Sequence, residues 1–583
     1  MTAMADRKLD PITFEVLRRA FEYAPERMSQ VLQKASFSPI IYDMVDYSNA
    51  IFDPDVELIG QTANCPVHIA AMHFSARASL ARYPLDTLGP DDVIVLNDPY
   101  QGGTHTPDVT MTLPIFHDGE LLAIAVSRAH WTDIGGNLDT HIAGEGLRLP
   151  PLLLYKDGKL NTELVEIIKN STRTPQYVEG DIQAQLGALR AARDEMQRIA
   201  SKYGAETVKQ GMSEVLDYTQ RMTAAAISRI PDGVYEAEDY VDSDGFSDDP
   251  VYVRVKLTVA GDRIEVDLSG SDPATVGPIN SPYANTASAI YYSLKFFLNP
   301  DAPPNAGLYR QIDLNIPEGT WLNPKWPSPT FGCTTASSSK ITGAIWLALA
   351  KAIPDQVIAP GCSECNWFVA TAADPDTGEI SVVSDLPAGG WGGTPYGDGM
   401  HVTMDPLGNC QNLPAETAEL LFPVRYNSYE MVADSAGPGR HRGGCGVRLE
   451  IEFLGRGQIV TMETSRTREG SPGVNGGAHA SRQKQLRKRP GEEVLETVGG
   501  LAEDGTWLPQ MLGNVAFKPG ESFVFESGGG GGWGDPFERD PRRVAEDVRN
   551  EIVTREQAAE AYGVVLTDAL EVDETATARR RAA

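Results

Sequence analysis

Val93-Ile94-Val95-Leu96 is followed by the segment Asn97-Asp98-Pro99-Tyr100-Gln101-Gly102-Gly103-Thr104-His105-Thr106-Pro107-Asp108. The first four residues form a short apolar run, which predicts a buried strand that ends in polar, glycine-rich sequence. A second apolar run, Leu121 to Val126, leads into Ser127-Arg128-Ala129-His130-Trp131 and predicts another such strand. If these two strands are neighbours in one sheet, their polar ends lie at the same edge.

That edge would gather His105, Asp108 and His130. Two imidazoles and a carboxylate are a common ligand set for a divalent metal with an open coordination position. An H-x-x-D spacing on a turn lets both side chains reach one ion, and Gly102 and Gly103 let the backbone bend there. The alternative is a pair of hydrogen-bonded histidines at strand ends, since this ligand set has no fixed helical spacing.

The segment Asn97 to Asp108 resembles the hydantoinase B/oxoprolinase family, and the resemblance covers nearly the whole chain. That family includes the B-type subunits of N-methylhydantoinases, the C-terminal half of 5-oxoprolinases, caprolactamase subunits, and the matching subunits of acetone and acetophenone carboxylases. The resemblance implies a divalent metal bound by His105, Asp108 and His130. Their N and O donors suit several first-row metals, and we expect zinc or manganese ahead of iron.

The resemblance also implies a function. We expect a metal-dependent subunit of an ATP-dependent cyclic amide hydrolase, which opens a hydantoin, lactam or 5-oxoproline-type ring. No phosphate loop is present in the sequence, although the reactions of the family usually consume ATP. The resemblance implies that ATP and magnesium bind to a hydantoinase A-type partner subunit, and we expect the pair to form a heterotetramer. Two alternatives remain open: a subunit of an acetone- or acetophenone-type carboxylase, and a non-catalytic scaffold for the ATPase partner.

Two acids are candidate catalytic residues. Asp46 lies among apolar neighbours, where an Asp is usually a turn or cap residue; in the family the corresponding acid lies near the metal, as an added ligand or proton shuttle. Glu145 lies between two glycines, where the backbone can approach a ligand closely. It could be a general acid or base, a substrate anchor, or equally a loop cap. His68 matches a Pro-x-His step of the family.

The composition excludes several classes of protein. The formal net charge of −30 argues against a nucleic-acid or anionic-membrane partner. No apolar run reaches the roughly 18 residues of a membrane span, and residues 1–17 do not resemble a secretory signal. Six cysteines in 583 residues fit a reduced compartment without a disulfide framework. We therefore expect a cytoplasmic protein.

Periodicity predicts an α+β (mixed α/β) fold in three parts. Residues 1–230 form a metal-binding region of strands and long helices, with helices over 10–36, 183–202 and 206–228, and with Asp181 as an N-terminal cap. Residues 231–540 form a β-rich subdomain with inserted helices, because the pattern changes there to period two. Residues 541–583 form short helices and, from about residue 573, a disordered tail.

Three glycine-rich segments lie within the β-rich part: 389–393, 437–444 and 528–532. The first two are interpreted either as loops that line a cavity, with Arg440 or Arg442 holding a carboxylate or phosphoryl group, or as tight turns between strands. The third is interpreted as a close-packed or flexible connector.

Overall fold

The computed structural model describes residues 8–62, 64–68, 70–137, 140–463, 465–508 and 515–582. Over these residues it is a mixed α+β protein with twelve α-helices and four sheets, as predicted. The helices are α1 (Pro11–Ala35), α2 (Pro39–Tyr42), α3 (Ala71–Arg82), α4 (Thr162–Ser171), α5 (Pro175–Tyr203), α6 (Ala205–Ile227), α7 (Tyr283–Leu298), α8 (Ala336–Ala352), α9 (Ala415–Leu421), α10 (Pro541–Arg549), α11 (Arg555–Glu560) and α12 (Glu574–Ala582).

The first sheet carries the candidate metal ligands. Its strands are β1 (Tyr47–Phe52), β2 (Leu58–Gln61), β3 (Val93–Leu96), β4 (Asp108–His117), β5 (Glu120–His130), β6 (Leu152–Lys156) and β7 (Lys159–Leu160), in the order β2-β1-β5-β4-β3-β6-β7. The two apolar runs of the sequence, β3 and the middle of β5, are therefore not neighbours. The intervening β4 separates them, and Pro114 inside it had weakened the strand signal.

Helices α1, α5 and α6 pack together and α1 and α5 cover this sheet. Asp10 caps α1 by accepting from the amides of Ile12 and Thr13, and the apolar positions 17, 21, 24, 28 and 32 form its buried face. The predicted bounds of α1 and α6 lie within one residue of those observed, whereas α5 begins at Pro175, eight residues before the predicted start. Asp181, however, is not a helix cap. It lies within α5 and accepts hydrogen bonds from the amides of Phe37 and Ser38.

The remaining strands are β8 (Gly233–Val241), β9 (Val251–Ala260), β10 (Arg263–Asp267), β11 (Ile312–Asn315), β12 (Trp367–Ala373), β13 (Ile380–Asp385), β14 (Val424–Met431), β15 (Val447–Phe453), β16 (Gly457–Glu463), β17 (Lys484–Lys488), β18 (Leu495–Leu501), β19 (Trp507–Leu508), β20 (Val515–Phe517) and β21 (Ser522–Glu526). They form sheets of order β11-β10-β9-β8, β13-β12-β16-β20 and β14-β15-β21-β17-β18-β19. One buried core extends from Leu17 to Ala418 and so continues across the boundary expected at residue 230.

The three glycine-rich segments pack on one another, and none of them lines the two cavities described below. Gly390 donates to the carbonyl of Gly528 at 3.2 Å, and Gly393 donates to that of Gly531 at 2.8 Å. A Cβ atom on Gly530 would lie 2.1 Å from the backbone of Trp391, so only glycine permits this approach. Arg442 pairs with Asp547 of α10, and Arg440 lies near Glu538. Both arginines thus face acids of this chain.

The C-terminal segment differs from the expected disordered tail, because residues 574–582 form α12. Asp573 accepts from the amide of Ala576 at the start of this helix. Arg581 at its end donates to the carbonyls of Tyr562 and Arg539. These long-range contacts order a polar segment whose sequence has no apolar periodicity. Among the described helices, none is both long enough and apolar enough to cross a bilayer.

Candidate metal centre and its cavity

Strands β4 and β5 bring two of the predicted ligands together. Asp108 begins β4 and His130 ends β5, and the two residues are directly paired in the antiparallel register. His105 lies three residues before Asp108, after the Gly102–Gly103 bend. All three side chains line one cavity. The structure thus places the three predicted ligands at one edge of the sheet.

Asp108 is fully buried at the centre of this group. Its Oδ2 accepts a hydrogen bond from Thr104 and lies 3.4 Å from Nε2 of His105. Burial opposes ionisation, but His105 and His68 hold the pKa of Asp108 well below its usual range. Oδ1 has no hydrogen-bond partner among the described residues. A buried carboxylate with an unsatisfied oxygen is the kind of group that a cation satisfies.

His105 is held in a defined orientation. Its Nδ1 donates to the carbonyl oxygen of Phe331 at 2.9 Å, which directs Nε2 toward Asp108. A histidine ligand commonly has its second nitrogen fixed by such a carbonyl. The His130 ring lies 5.0 Å from the His105 ring between centroids. Burial lowers the pKa of His130 to about 3, so His130 is neutral, as a metal ligand must be.

His68 was noted in the sequence but not assigned as a ligand. It ends the 3₁₀ turn Pro66–His68, its Nδ1 lies 3.1 Å from Oγ of Ser48, and its Nε2 lies 3.4 Å from Oδ2 of Asp108. Ligand atoms about 2.1 Å from a shared tetrahedral ion stand about 3.4 Å apart. Nε2 of His68 and Nε2 of His105 each lie at that distance from Oδ2 of Asp108. The signal in the sequence was the Pro-x-His step.

Asp46 lies at the wall of the same cavity, beside two cysteines that sequence analysis had not connected with it. The carboxylate of Asp46 and the thiols of Cys65 and Cys410 offer ligand atoms within 4.8 Å of one another, a second arrangement that could hold a metal. Burial raises the pKa of Asp46 to about 6. Cys410 is distant in sequence from both partners, so no local spacing could have revealed this group.

Glu145 does not line the cavity with Asp46 and the histidines. Its Oε1 accepts from the amides of Thr330 and Phe331 at 2.7 and 2.8 Å, and its Oε2 faces the hydroxyl of Thr330. Burial raises the pKa of Glu145 to about 8. Of the alternatives left open by the sequence, these contacts fit a loop anchor behind the cavity.

The donors present fit a divalent metal. Three imidazoles and one buried carboxylate line the same cavity, and N and O ligands of this kind suit zinc, manganese or iron. Among the described residues, the group whose ligand atoms all lie within 4.8 Å of one another is Asp46, Cys65 and Cys410. Behind them, the buried guanidinium of Arg128 hydrogen-bonds the hydroxyls of Thr110 and Ser75 and lies 3.5 Å from that of Thr104. Positive charge at this depth compensates Asp108 and fixes the hydroxyl that contacts it.

Comparisons with known proteins match nearly the whole chain to one family. The family model described as hydantoinase B/oxoprolinase matches residues 10–536. The beta subunit of caprolactamase from Pseudomonas jessenii is 32% identical over 99% of each chain. A putative B-type D-/L-hydantoinase subunit from Pseudomonas sp. (strain NS671) is 31% identical over 97% of each chain. These relatives are cyclic amide hydrolases or their subunits by name.

Solved structures agree with these sequence matches. The crystal structure of ATP-dependent caprolactamase from Pseudomonas jessenii has a TM-score of 0.91 at 30% identity, covering 99% of this chain and all of the other. A nucleotide-free acetone carboxylase structure has a TM-score of 0.87 at 20% identity, over 98% of this chain and 82% of the other, and shows the shared fold. Together with the match over residues 10–536, these findings establish that the chain belongs to the hydantoinase B/oxoprolinase family.

Proposed function

We propose that this chain is the metal-dependent subunit of an ATP-dependent cyclic amide hydrolase. The observation that carries the proposal is the cavity itself. Buried His68, His105, His130 and Asp108 face one volume whose wall holds Asp46. The full-length similarity to the beta subunit of a caprolactamase supports a ring-opening reaction on a lactam or hydantoin.

His105, Asp108 and His130 would hold the metal, with His68 as a further ligand. A divalent ion there supplies Lewis-acid stabilisation of the negative charge that develops at the reacting carbonyl. The chain's own groups prepare the site for it. Phe331 fixes the ring of His105, and Thr104 and Arg128 fix the carboxylate of Asp108. Such preorganisation keeps ligand geometry within narrow limits.

Asp46 is the proposed proton acceptor for the attacking water. Its carboxylate lies in the wall of the cavity with a pKa of about 6, near the pH at which a general base works best. Glu145, whose carboxylate is occupied by backbone amides, contributes by holding the 330–331 loop against His105. It is therefore a positioning residue in this proposal.

Activation of the amide by ATP is assigned to a hydantoinase A-type partner. The sequence holds no phosphate loop, and two of the similar proteins are themselves subunits by name, which supports an assembly. We propose a heterotetramer of two such pairs, because closed symmetry favours pairing of heterodimers. The net charge of −30 does not prevent this, since salt screens charge beyond about 8 Å.

The test compares the purified chain with the same chain co-purified with the product of the neighbouring hydantoinase A-type gene. We expect only the co-purified pair to release ADP, and only when a cyclic amide is present. We also expect this chain to contain one equivalent of a first-row metal. ATP-dependent ring opening by the isolated chain would refute the division of labour. ADP release that requires bicarbonate and a ketone would point to the carboxylase alternative, and a metal-free active pair would point to the scaffold.

A further inference from the structure

A second cavity adjoins the metal cavity and is not used by the mechanism above. We call it the ring pocket; its apolar wall consists of Pro107, Ile134, Phe331, Trp367, Val369 and Val382. His130 and Trp367 line both cavities. A molecule in the ring pocket would therefore have one end at the candidate metal ligands.

The wall between the two cavities is aromatic and fixed. The indole of Trp367 stacks on Phe331 with centroids 5.4 Å apart and an interplanar angle of 20°, and it meets the His130 ring edge-on at 5.7 Å. Its Nε1 donates to the hydroxyl of Ser384 at 2.7 Å, which sets the orientation of the indole. Rigid aromatic and aliphatic walls are typical of sites for small apolar ligands.

The charges of the ring pocket cancel. Among the described residues that line it, Arg173 carries the one permanent positive charge. Its guanidinium is already bound by Asp133, with Nε 3.0 Å from Oδ1 and the second nitrogen also in contact. A carboxylate on the side of a ligand ring that faces away from the candidate metal ligands would thus find no unpaired cationic side chain among the described lining residues.

From this arrangement we infer that the substrate ring is uncharged: a simple lactam or an alkyl-substituted hydantoin, held in the ring pocket with its reacting amide toward His130, and not a ring that carries a carboxylate such as 5-oxoproline. The inference rests on the proposed function and narrows its substrate class. Specificity of this kind is strong, because an ionic group buried without a partner is rejected far more than a missing methylene is.

The test uses two probes that differ by one carboxylate, 2-pyrrolidinone and 5-oxoproline, with the co-purified enzyme. We expect kcat/KM for 5-oxoproline to be lower by roughly 100-fold or more. Equal or better turnover of 5-oxoproline would overturn the inference while leaving the proposed function intact. Binding of both probes to the isolated chain is measured by ligand-observed NMR, and only 2-pyrrolidinone is expected to bind.

Charge-changing variants test the ring pocket itself. Thr371 lines it from β12, so Thr371→Lys adds a cation there, and Thr371→Met adds similar bulk without charge. Asp133→Asn removes the partner of Arg173. We expect Thr371→Lys and Asp133→Asn to raise the ratio of 5-oxoproline to 2-pyrrolidinone turnover at least about tenfold, and Thr371→Met to leave it unchanged. An unchanged ratio in a folded Thr371→Lys enzyme would overturn the assignment of the pocket.

Failure of the proposed function has a different signature. If no cyclic amide, neutral or charged, drives ADP release by the pair, the hydrolase proposal fails. Selective binding of 2-pyrrolidinone by the isolated chain would then still support a pocket for an uncharged ring. If the isolated chain shows no such selective binding, the inference about the ring pocket fails as well.

Discussion

Glu145 and His105 are joined through a single residue, Phe331. The carboxylate of Glu145 accepts the amide N–H of Phe331 at 2.8 Å, and the carbonyl of the same residue accepts Nδ1–H of His105 at 2.9 Å. A carboxyl group outside the cavity therefore determines which nitrogen of a candidate metal ligand faces Asp108. Sequence alone left open a general acid or base, a substrate anchor and a loop cap for Glu145, and this relationship favours the cap, through which Glu145 orients His105.

Glu145→Gln should preserve the site and Glu145→Ala should not. The raised pKa of about 8 means that Glu145 is largely protonated at neutral pH, and a glutamine reproduces its acceptor oxygen and its donor. Alanine leaves two buried amides unpaired, at about 1–3 kcal/mol each. We expect Glu145→Ala to lower both the thermal unfolding midpoint and metal affinity, and Glu145→Gln to keep both. Loss of turnover in Glu145→Gln with metal retained would indicate proton transfer instead.

The same group predicts how stability depends on pH. The pKa of Glu145 rises from about 4.5 to about 8 on folding, so the folded chain binds this proton more tightly than the unfolded chain. Its contribution to stability is fully present below about pH 4.5 and is lost as the pH rises through about 8. Thermal midpoints measured across that range should fall less steeply with pH in Glu145→Gln than in the unaltered protein. If the thermal midpoints of the two proteins fall equally steeply with pH, the raised pKa does not belong to Glu145.

His105→Ala should abolish turnover and metal binding while leaving the metal-free fold intact. His105 is 2% exposed, and its two ring nitrogens contact Phe331 and Asp108. We therefore expect activity to fall at least about 100-fold and the midpoint of the metal-free protein to fall by several degrees without loss of the fold. His117→Ala, at the far end of β4, is the matched control and should keep its metal. Metal content by elemental analysis checks this prediction. Insoluble His105→Ala protein would favour a structural histidine.

The activity should titrate with Asp46. Its pKa of about 6 implies that the carboxylate is the active form, so kcat/KM should decline about tenfold per unit below pH 6. Asp46→Asn should reduce turnover by about 10²–10⁴ and remove this acidic limb. Asp43→Asn, three residues away and outside the cavity lining, is the control and should retain the limb. An unaltered pH profile in Asp46→Asn would exclude Asp46 as the base.

Local periodicity predicted the helices well, because α1, α5 and α6 follow a 3.6-residue apolar pattern and Asp10 caps the first of them. It failed for β4, whose Pro114 pairs with Ile124 inside the sheet. It also failed for α12, where three arginines end a polar helix and one of them, Arg581, binds carbonyls of preceding segments. Those contacts are tertiary and leave no periodic signal.

Some residues of the candidate site could be grouped from the sequence, and others could not. His105, Asp108 and His130 could be grouped from sequence because strand ends bring them to one edge. Phe331 and Cys410 could not, since Phe331 lies 226 residues from the histidine that it orients. The ring pocket depends on Trp367 of a different sheet. Side chains that arrive from distant segments by packing, without a spacing rule, are visible only in the folded chain.

Cobalt substitution should show which of the two donor groups in the cavity binds the metal. We expect the imidazoles and Asp108 to bind it, because a cysteine is a strong metal ligand only as the thiolate. The pKa values of both thiols are raised, that of Cys65 by its contact with Cys410 and by burial, and that of Cys410 mainly by burial. The chain loaded with Co²⁺ should therefore lack a sulfur-to-cobalt charge-transfer band in the near ultraviolet. The double variant Cys65→Ser, Cys410→Ser should bind cobalt with an unchanged spectrum, whereas His105→Ala should not bind it. A charge-transfer band that disappears in Cys410→Ser would place the ion on Asp46, Cys65 and Cys410, and Asp46 could then no longer serve as the base.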